Sequence, residues 1–427
     1  MKKIVVVLSL IITAAVLCAG CRFGGQDESS VPPAQEQSVE SSAEASVMPS
    51  AESSEESSEE PSPEPLVLIP SEEDLKSIKD YDSKYYVKKL SDEMKYHFVT
   101  LYKAVTNFEK SAELAVPVDG NDVLTLMYLL NYDCPELIHL GGDYGCEYDP
   151  DGNVTVVAFT YCIEKSMYKK ALEELETARQ IILEKTQGKD QLEAEKIIFD
   201  HIFYNCVYSE EDATAGSVYG ALVKNVARCE GYSKSFEWCM RLLGYECMCV
   251  VGSQQWNSTV KYSNHSWNVV KIGEEYYNVD ITADNVRTTS AVVNKPLYGF
   301  FNANDEMTYY LRDAENVFKE LGVPECTALE YNYHIMNGLY IPAGELSEEK
   351  IDEIFDRYFT QDGFSGVSIK CGSTEDYKDL CTKIKTITDN YLSARSSYLF
   401  TKEYAYNTVS QTVMVSCIPA AASQNGG

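Results

Sequence analysis

Cys229, His265 and Asp280 are three residue types that together can perform nucleophilic acyl chemistry. A thiol becomes a strong nucleophile once a base takes its proton. The base in turn needs a carboxylate that fixes its tautomer and stabilises its charged form. In this set His265 takes the Cys229 proton and later donates it to a leaving amine, while Asp280 orients the imidazole. The backbone N–H of Cys229 supplies one oxyanion donor, and Tyr219 is the candidate for a second, against the plainer reading of a packed tyrosine in a chain with 31 of them.

The surrounding elements must bring these residues together. Tyr232, Phe236, Met240 and Leu243 share one face of a helix that Cys229 opens and Gly244 ends. A helix N-terminus favours a thiolate, and cysteines so placed have pKa values lowered to roughly 3.5–7.5. Three strands are predicted next, over 247–252, 265–272 and 275–282, the last two joined by Gly273-Glu274. A two-residue loop starting with glycine suits a type II′ hairpin. That register sets Ile272 opposite Glu275 and makes His265 and Asp280 diagonal neighbours on one face. A three-residue loop would put them on opposite faces.

Upstream, Tyr86, Leu90, Met94, His97, Leu101 and Val105 predict helix over 71–115, with a short helix near 121–130. Glycines from 141 to 152 predict a loop and hairpin with a strand over 154–161. Helices are predicted over 166–184 and 190–204. Residues 290–345 read as irregular and tyrosine-rich. The last block predicts helix 347–358, strand 366–370, helix 374–391, and strands 398–401 and 408–417.

Cys229-Glu230-Gly231-Tyr232, His265-x-Trp267-Asn268 and Tyr277-x-Val279-Asp280-x-Thr282 resemble the three motifs of the bacterial transglutaminase-like superfamily. The resemblance is strong over roughly 195–285, weaker upstream and absent after about 320. It implies an α+β protein with a papain-like core and a Cys229–His265–Asp280 triad. Two positions depart from the pattern. Arg228 stands where a small or apolar residue is usual, and Thr282-Ala283-Asp284 replaces Thr-Trp-Asp. The implied organisation is a signal over 1–20, a tether over 21–65, a helical and hairpin region over 66–165, a catalytic domain over 166–320 and an α+β extension over 321–427.

Met1-Lys2-Lys3, an apolar run and Leu17-Cys18-Ala19-Gly20-Cys21 have the layout of a secretory signal and resemble a bacterial lipobox, with Cys21 as the lipidated residue. The alternatives are an ordinary cleaved signal and a short transmembrane anchor. All three place the rest of the chain outside the cytoplasm. Residues 22–65 hold twelve serines, six prolines and eleven acidic residues, a composition that cannot bury enough apolar surface to fold.

The formal charge is −30 over 427 residues. The tether carries −10 and the signal +2, leaving −22 for residues 66–427. Such an excess excludes a nucleic-acid binder, because phosphate contacts need clustered lysine and arginine. It equally excludes charge-driven docking on anionic lipid, so the expected membrane link is the lipid on Cys21. No paired-ligand spacing for zinc, Walker loop or dinucleotide fingerprint is present, so neither metal nor cofactor is expected.

The expectation is therefore an enzyme on the outer face of a bacterial membrane, forming a Cys229 thioester with a protein or peptide substrate, cell-wall peptide among them. Attack by water makes it a protease or amidase; attack by an amine makes it a transglutaminase. The alternative is a non-catalytic cell-surface binding protein retaining the fold.

Overall fold

The computed structural model describes residues 68–420 apart from 255–262, 287–294, 309–311, 361–362 and 397–398. The expected signal, Cys21 and the tether lie outside these residues.

The chain begins with α1 (Glu72–Lys76), closed by a capping box between Ser71 and Asp74. The continuous helix predicted over 71–115 does not form. Asp133 takes its donors: the buried carboxylate accepts the backbone N–H groups of Tyr85 at 3.2 Å, Tyr86 at 2.9 Å and Val87 at 2.9 Å. Those groups are then lost to helical bonding. Helix resumes as α2 (Asp92–Thr106), capped by Ser91 and burying Phe98, Leu101, Tyr102 and Val105. The end of the predicted helix is instead β1 (Ser111–Val118), in which Ala112, Leu114 and Val118 are buried. Their two-residue alternation is a strand signal. Pro117 is tolerated because β1 lies at the edge of its sheet. After α3 (Gly120–Tyr132), β2 (Leu140–Tyr148) and β3 (Val154–Tyr161) complete an antiparallel sheet of order β1-β3-β2.

Two helices follow, α4 (Lys165–Thr186) and α5 (Gln191–Asn205), then the parallel pair β4 (Val207–Tyr208) and β5 (Val226–Ala227). The central part consists of α6 (Cys229–Leu242), β6 (Cys247–Gln254), β7 (Ser263–Ile272), β8 (Glu275–Val279), α7 (Ile281–Val286) and β9 (Arg312–Ala314). The four strands form an antiparallel sheet of order β8-β7-β6-β9. One face sends Met248, Val250, Trp267 and Val269 into the apolar cluster built on α2 and α3. The other packs Cys247, Val270, Tyr277 and Val279 against α5 and α6.

Ile272 pairs with Glu275, as the two-residue turn requires, and Gly273 takes the left-handed φ of 63°. The third strand is shorter than predicted. β8 stops at Val279, and Asp280 turns the chain by accepting the N–H of Ala283 at 3.0 Å, in the manner of an N-cap for α7.

The segment read as irregular contains β9, α8 (Asn316–Glu320), α9 (Tyr333–Met336) and β10 (Tyr340–Ile341). The C-terminal block is α10 (Glu348–Tyr358), β11 (Phe364–Cys371), α11 (Thr374–Arg395), β12 (Phe400–Asn407) and β13 (Thr412–Pro419), in the predicted order. Ile351, Phe355, Leu380 and Ile384 pack on Val367, Ile369, Val413 and Val415, giving this block its own apolar cluster. Polar bonds join it to the central part. Lys370 Nζ donates to the carbonyl of Gly299 at 3.0 Å, and Asn407 Nδ2 donates to that of Ala283 at 3.0 Å. Eleven of the twelve described cysteines, Cys229 among them, are free thiols.

Asp133 also accepts from Arg241 Nη2 at 2.7 Å, with both side chains buried. Removing one partner of such a pair leaves a charge without compensation in the interior. Asp133→Ala is expected to lower unfolding stability by about 3–5 kcal/mol, measured as a fall in the urea midpoint. An unchanged midpoint would remove Asp133 from this structural role.

Candidate active site

Cys229 opens α6 immediately after β5, at the position the sequence gives it. Gly231 explains how the first turn of α6 fits there. A Cβ on it would collide with the carbonyl oxygen of Ala215 and with Cβ of Ala227. The N-terminal end of the helix thus lies against the loop before it, and Arg228 N–H donates to Ala215 O at 3.0 Å.

β7 supplies the rest. Its alternation turns Ser266 and Asn268 toward α6, where Ser266 Oγ meets Ser233 Oγ at 3.0 Å and Asn268 Nδ2 donates to Ser233 O at 2.9 Å. The Cys229 thiol is hydrogen-bonded to both the hydroxyl and the backbone N–H of Ser266, the residue next to His265. His265 and Trp267 occupy the other face, their rings stacked at 6.3 Å. His265 Nε2 and Asp280 Oδ2 are 2.8 Å apart, with both side chains almost fully buried. The diagonal contact follows from the Gly273-Glu274 turn.

The electrostatics differ from the sequence expectation at Cys229. Burial, followed by the adjacent Glu230 carboxylate, pushes the thiol up to about 12. The Ser266 hydrogen bonds and Arg228 act in the opposite direction without overcoming it. The helix N-terminus therefore does not produce a low-pKa thiol in this state, because desolvation penalises the thiolate more strongly.

Glu230 itself is held firmly. It accepts from Arg228 Nε at 2.7 Å and from Tyr132 Oη at 2.7 Å. Burial alone would raise its carboxyl, yet Arg228 and Lys234 bring it below the ordinary carboxylate range. Burial likewise opposes ionisation of Asp280, and His265 and Arg312 reverse that, leaving Asp280 below its ordinary value.

Tyr219 is placed elsewhere. Its hydroxyl donates to Glu174 Oε2 at 2.6 Å, and its ring belongs to a cluster with Ile138, Ile163 and Val218. The proton an oxyanion donor would need is committed to α4, which corrects the reading of Tyr219 as the second donor.

Arg312, Ser266 and Glu230 are site residues to which the sequence reading assigned no role. Ser266 was accessible through strand alternation, and Glu230 through its position beside the thiol. Arg312 lies on a three-residue strand and has no local signal. At the departure from Thr-Trp-Asp, Ala283 is buried in a cluster with Phe300, Ala303 and Val409. Among the described residues no group of three or more His, Cys, Asp or Glu side chains could hold a metal ion, and no helix is long and apolar enough to cross a membrane.

Residues 176–281 match the family model described as the transglutaminase-like superfamily. The core of this chain is transglutaminase-like. The matched segment includes Cys229, His265 and Asp280, and the α+β architecture agrees with a papain-like fold. Similar solved structures include a Cytophaga hutchinsonii protein assigned as a cysteine protease, with 10% identity over 30% of this chain and 51% of that one, TM-score 0.22. A second is described as a TGase, with 13% identity over 40% and 50%, TM-score 0.23. A third is the periplasmic domain of TgpA from Pseudomonas aeruginosa, with 15% identity over 33% and 62%, TM-score 0.21. The chain thus spans 50–62% of these structures' lengths. No curated protein matches it.

The position of Glu230 makes a pH prediction. A like charge beside a thiol raises its pKa, so Glu230→Gln is expected to lower that of Cys229 by about one unit. The rate of iodoacetamide alkylation at Cys229, followed by peptide mass between pH 7 and 10, should then rise at lower pH than in the unmodified protein. A profile that stays in place would show that Glu230 does not act on the thiol.

Proposed function

We propose that this protein is an extracytoplasmic, lipid-anchored cysteine enzyme that transfers acyl groups from peptide or amide bonds. The observation that carries this reading is the buried 2.8 Å contact of His265 Nε2 with Asp280 Oδ2, within a transglutaminase-like segment whose helix-opening Cys229 bonds the next residue, Ser266.

The Asp280 contact fixes the division of work on the imidazole. Nε2 is committed to the carboxylate, so Nδ1 is the nitrogen that takes the thiol proton. The transfer requires Cys229 Sγ, which lies beside Ser266, to come within hydrogen-bond reach of the ring. The thiolate adds to the substrate carbonyl, and the negative charge moves to its oxygen, toward the Cys229 backbone N–H. Collapse of that intermediate breaks the C–N bond, and Nδ1–H delivers the proton to the departing amine. A thioester on Cys229 remains. Water or an amine then gives its proton to Nδ1 and attacks the thioester, releasing acid or amide and restoring the thiol. We favour water, since an amine acceptor needs a dedicated site. The substrate is a protein or peptide, with cell-wall peptide included, and the Cys21 lipid holds the enzyme at the outer face of a bacterial membrane.

The second reading is a cell-surface binding protein that kept the fold without catalysis. The Cys229 thiol, pushed up to about 12 by burial and by Glu230, favours it.

Thioester formation separates the two. Incubation with a peptide library followed by intact-mass analysis should reveal an acyl adduct on the unmodified chain and none on Cys229→Ser. His265→Ala should slow adduct formation by about 10²–10⁴-fold. Incorporation of a fluorescent primary amine would assign transamidation, and product acid without incorporation would assign hydrolysis. Absence of any adduct, with Cys229 no more reactive than other exposed thiols, favours the binding protein. Lipidation is tested by Cys21→Ser, which should release the chain from the membrane fraction; continued lipid labelling of this variant would end the anchor assignment.

A further inference from the structure

Arg312 reaches the triad carboxylate and has no task in the chemistry above. It enters from β9, where Arg312 pairs with Gln254 of β6. The approach depends on Gly252, since a Cβ there would collide with the backbone of Asp313 and Ala314. Arg312 Nε donates to Gln254 Oε1 at 3.1 Å. Its Nη2 donates to Asp280 Oδ2, the same oxygen that meets His265 Nε2, while Oδ1 is held by the Ala283 N–H. The guanidinium contacts the Trp267 ring, 5.0 Å from its centroid, and the Phe300 ring, 4.5 Å from its centroid. The side chain is 3% exposed, and Nη1 is buried with no hydrogen-bond partner among the described residues.

We propose that Arg312 is a positioning residue for the triad: it shares the Asp280 carboxylate with His265, locks the imidazole with its proton on Nε2, and stands as a fixed cation against the imidazolium. This rests on the triad reading given under the proposed function. Aromatic rings hold a guanidinium without neutralising it. One carboxylate therefore faces two cations whenever His265 is protonated, and like charges disfavour that state.

Other charged and titratable groups among the described residues surround this cluster. Asp284 of α7, its carboxyl raised to about 7 chiefly by burial, faces Lys370 of β11, which burial lowers to about 8. Asp305 and Cys326 act on Arg312 from the segments flanking β9. Lys370 adds positive potential beside Arg312, with Nζ 5.3 Å from the Phe300 centroid. The arrangement favours a neutral His265 in the free protein, the form that can accept the thiol proton. The carboxylate nevertheless remains ionised and fixed in orientation.

The test is a ¹³C-histidine NMR titration of the full chain, with the His265 signal assigned by its loss in His265→Ala. Arg312→Gln should raise the His265 midpoint by about one pH unit, a tenfold gain in proton affinity. Arg312→Lys, which keeps the charge, should leave the midpoint within about 0.3 unit of the original. A folded Arg312→Gln protein with an unmoved midpoint overturns the proposal. If that variant does not fold, Arg312→Lys decides: a midpoint held in place supports the role, and one displaced by a full unit overturns it. Alkylation of Cys229 in the same samples tests the catalytic reading separately. Indistinguishable rates in the unmodified protein and His265→Ala would end the triad reading, whereas a His265-dependent rate with an unmoved Arg312→Gln midpoint would end only this inference.

Discussion

Helix α6 must lie close against β7, and much of the architecture holds it there. Gly231 lets its first turn meet Ala215 and Ala227, and near its other end Arg241 is bound by Asp133 and Glu237. Between these points Ser233 meets both Ser266 and Asn268. A helix fixed at both ends fixes the position of its N-terminal thiol relative to the strand that carries His265. The N-terminal region therefore contributes to the site without approaching it, because Asp133 anchors α6 while organising the backbone of Tyr85 to Val87. Preorganisation of this kind lets reacting groups keep their geometry during the chemical step.

The second half of the site is positioned from the opposite direction. Asp280 leaves β8 and caps α7, whose Ala283 carbonyl is bonded by Asn407 of the C-terminal block. The Asp280 N–H donates to Phe300 O at 3.2 Å, and the next carbonyl, that of Gly299, accepts Lys370. The C-terminal sheet therefore buttresses the turn on which Asp280 sits. This gives a physical role to a block that carries no candidate catalytic residue of its own.

The parts of the site legible in the sequence are those fixed by short-range rules. A glycine-led two-residue turn determines a strand register, and that register determines the His265–Asp280 diagonal. A run of apolar residues ending at glycine delimits α6 and places Cys229 at its start. The errors share a cause in long-range interaction. Residues 71–115 were helical by periodicity, yet Asp133, about fifty positions away, captures three of their donors, and the Ala112–Leu114 alternation was absorbed into the wrong period. The Cys229 thiol follows burial, which the whole fold sets, more than helix position, which is local. Arg312 sits 32 residues beyond Asp280, on a strand too short to show a pattern.

Burial of Cys229 also bears on its survival. A thiol pushed up to about 12 carries little thiolate at neutral pH. Peroxides and disulfides attack through the thiolate, so a resting nucleophile of this kind is nearly inert toward them. Eight of the other described cysteines are buried outright. The burial that raises the Cys229 thiol thereby also slows its oxidation.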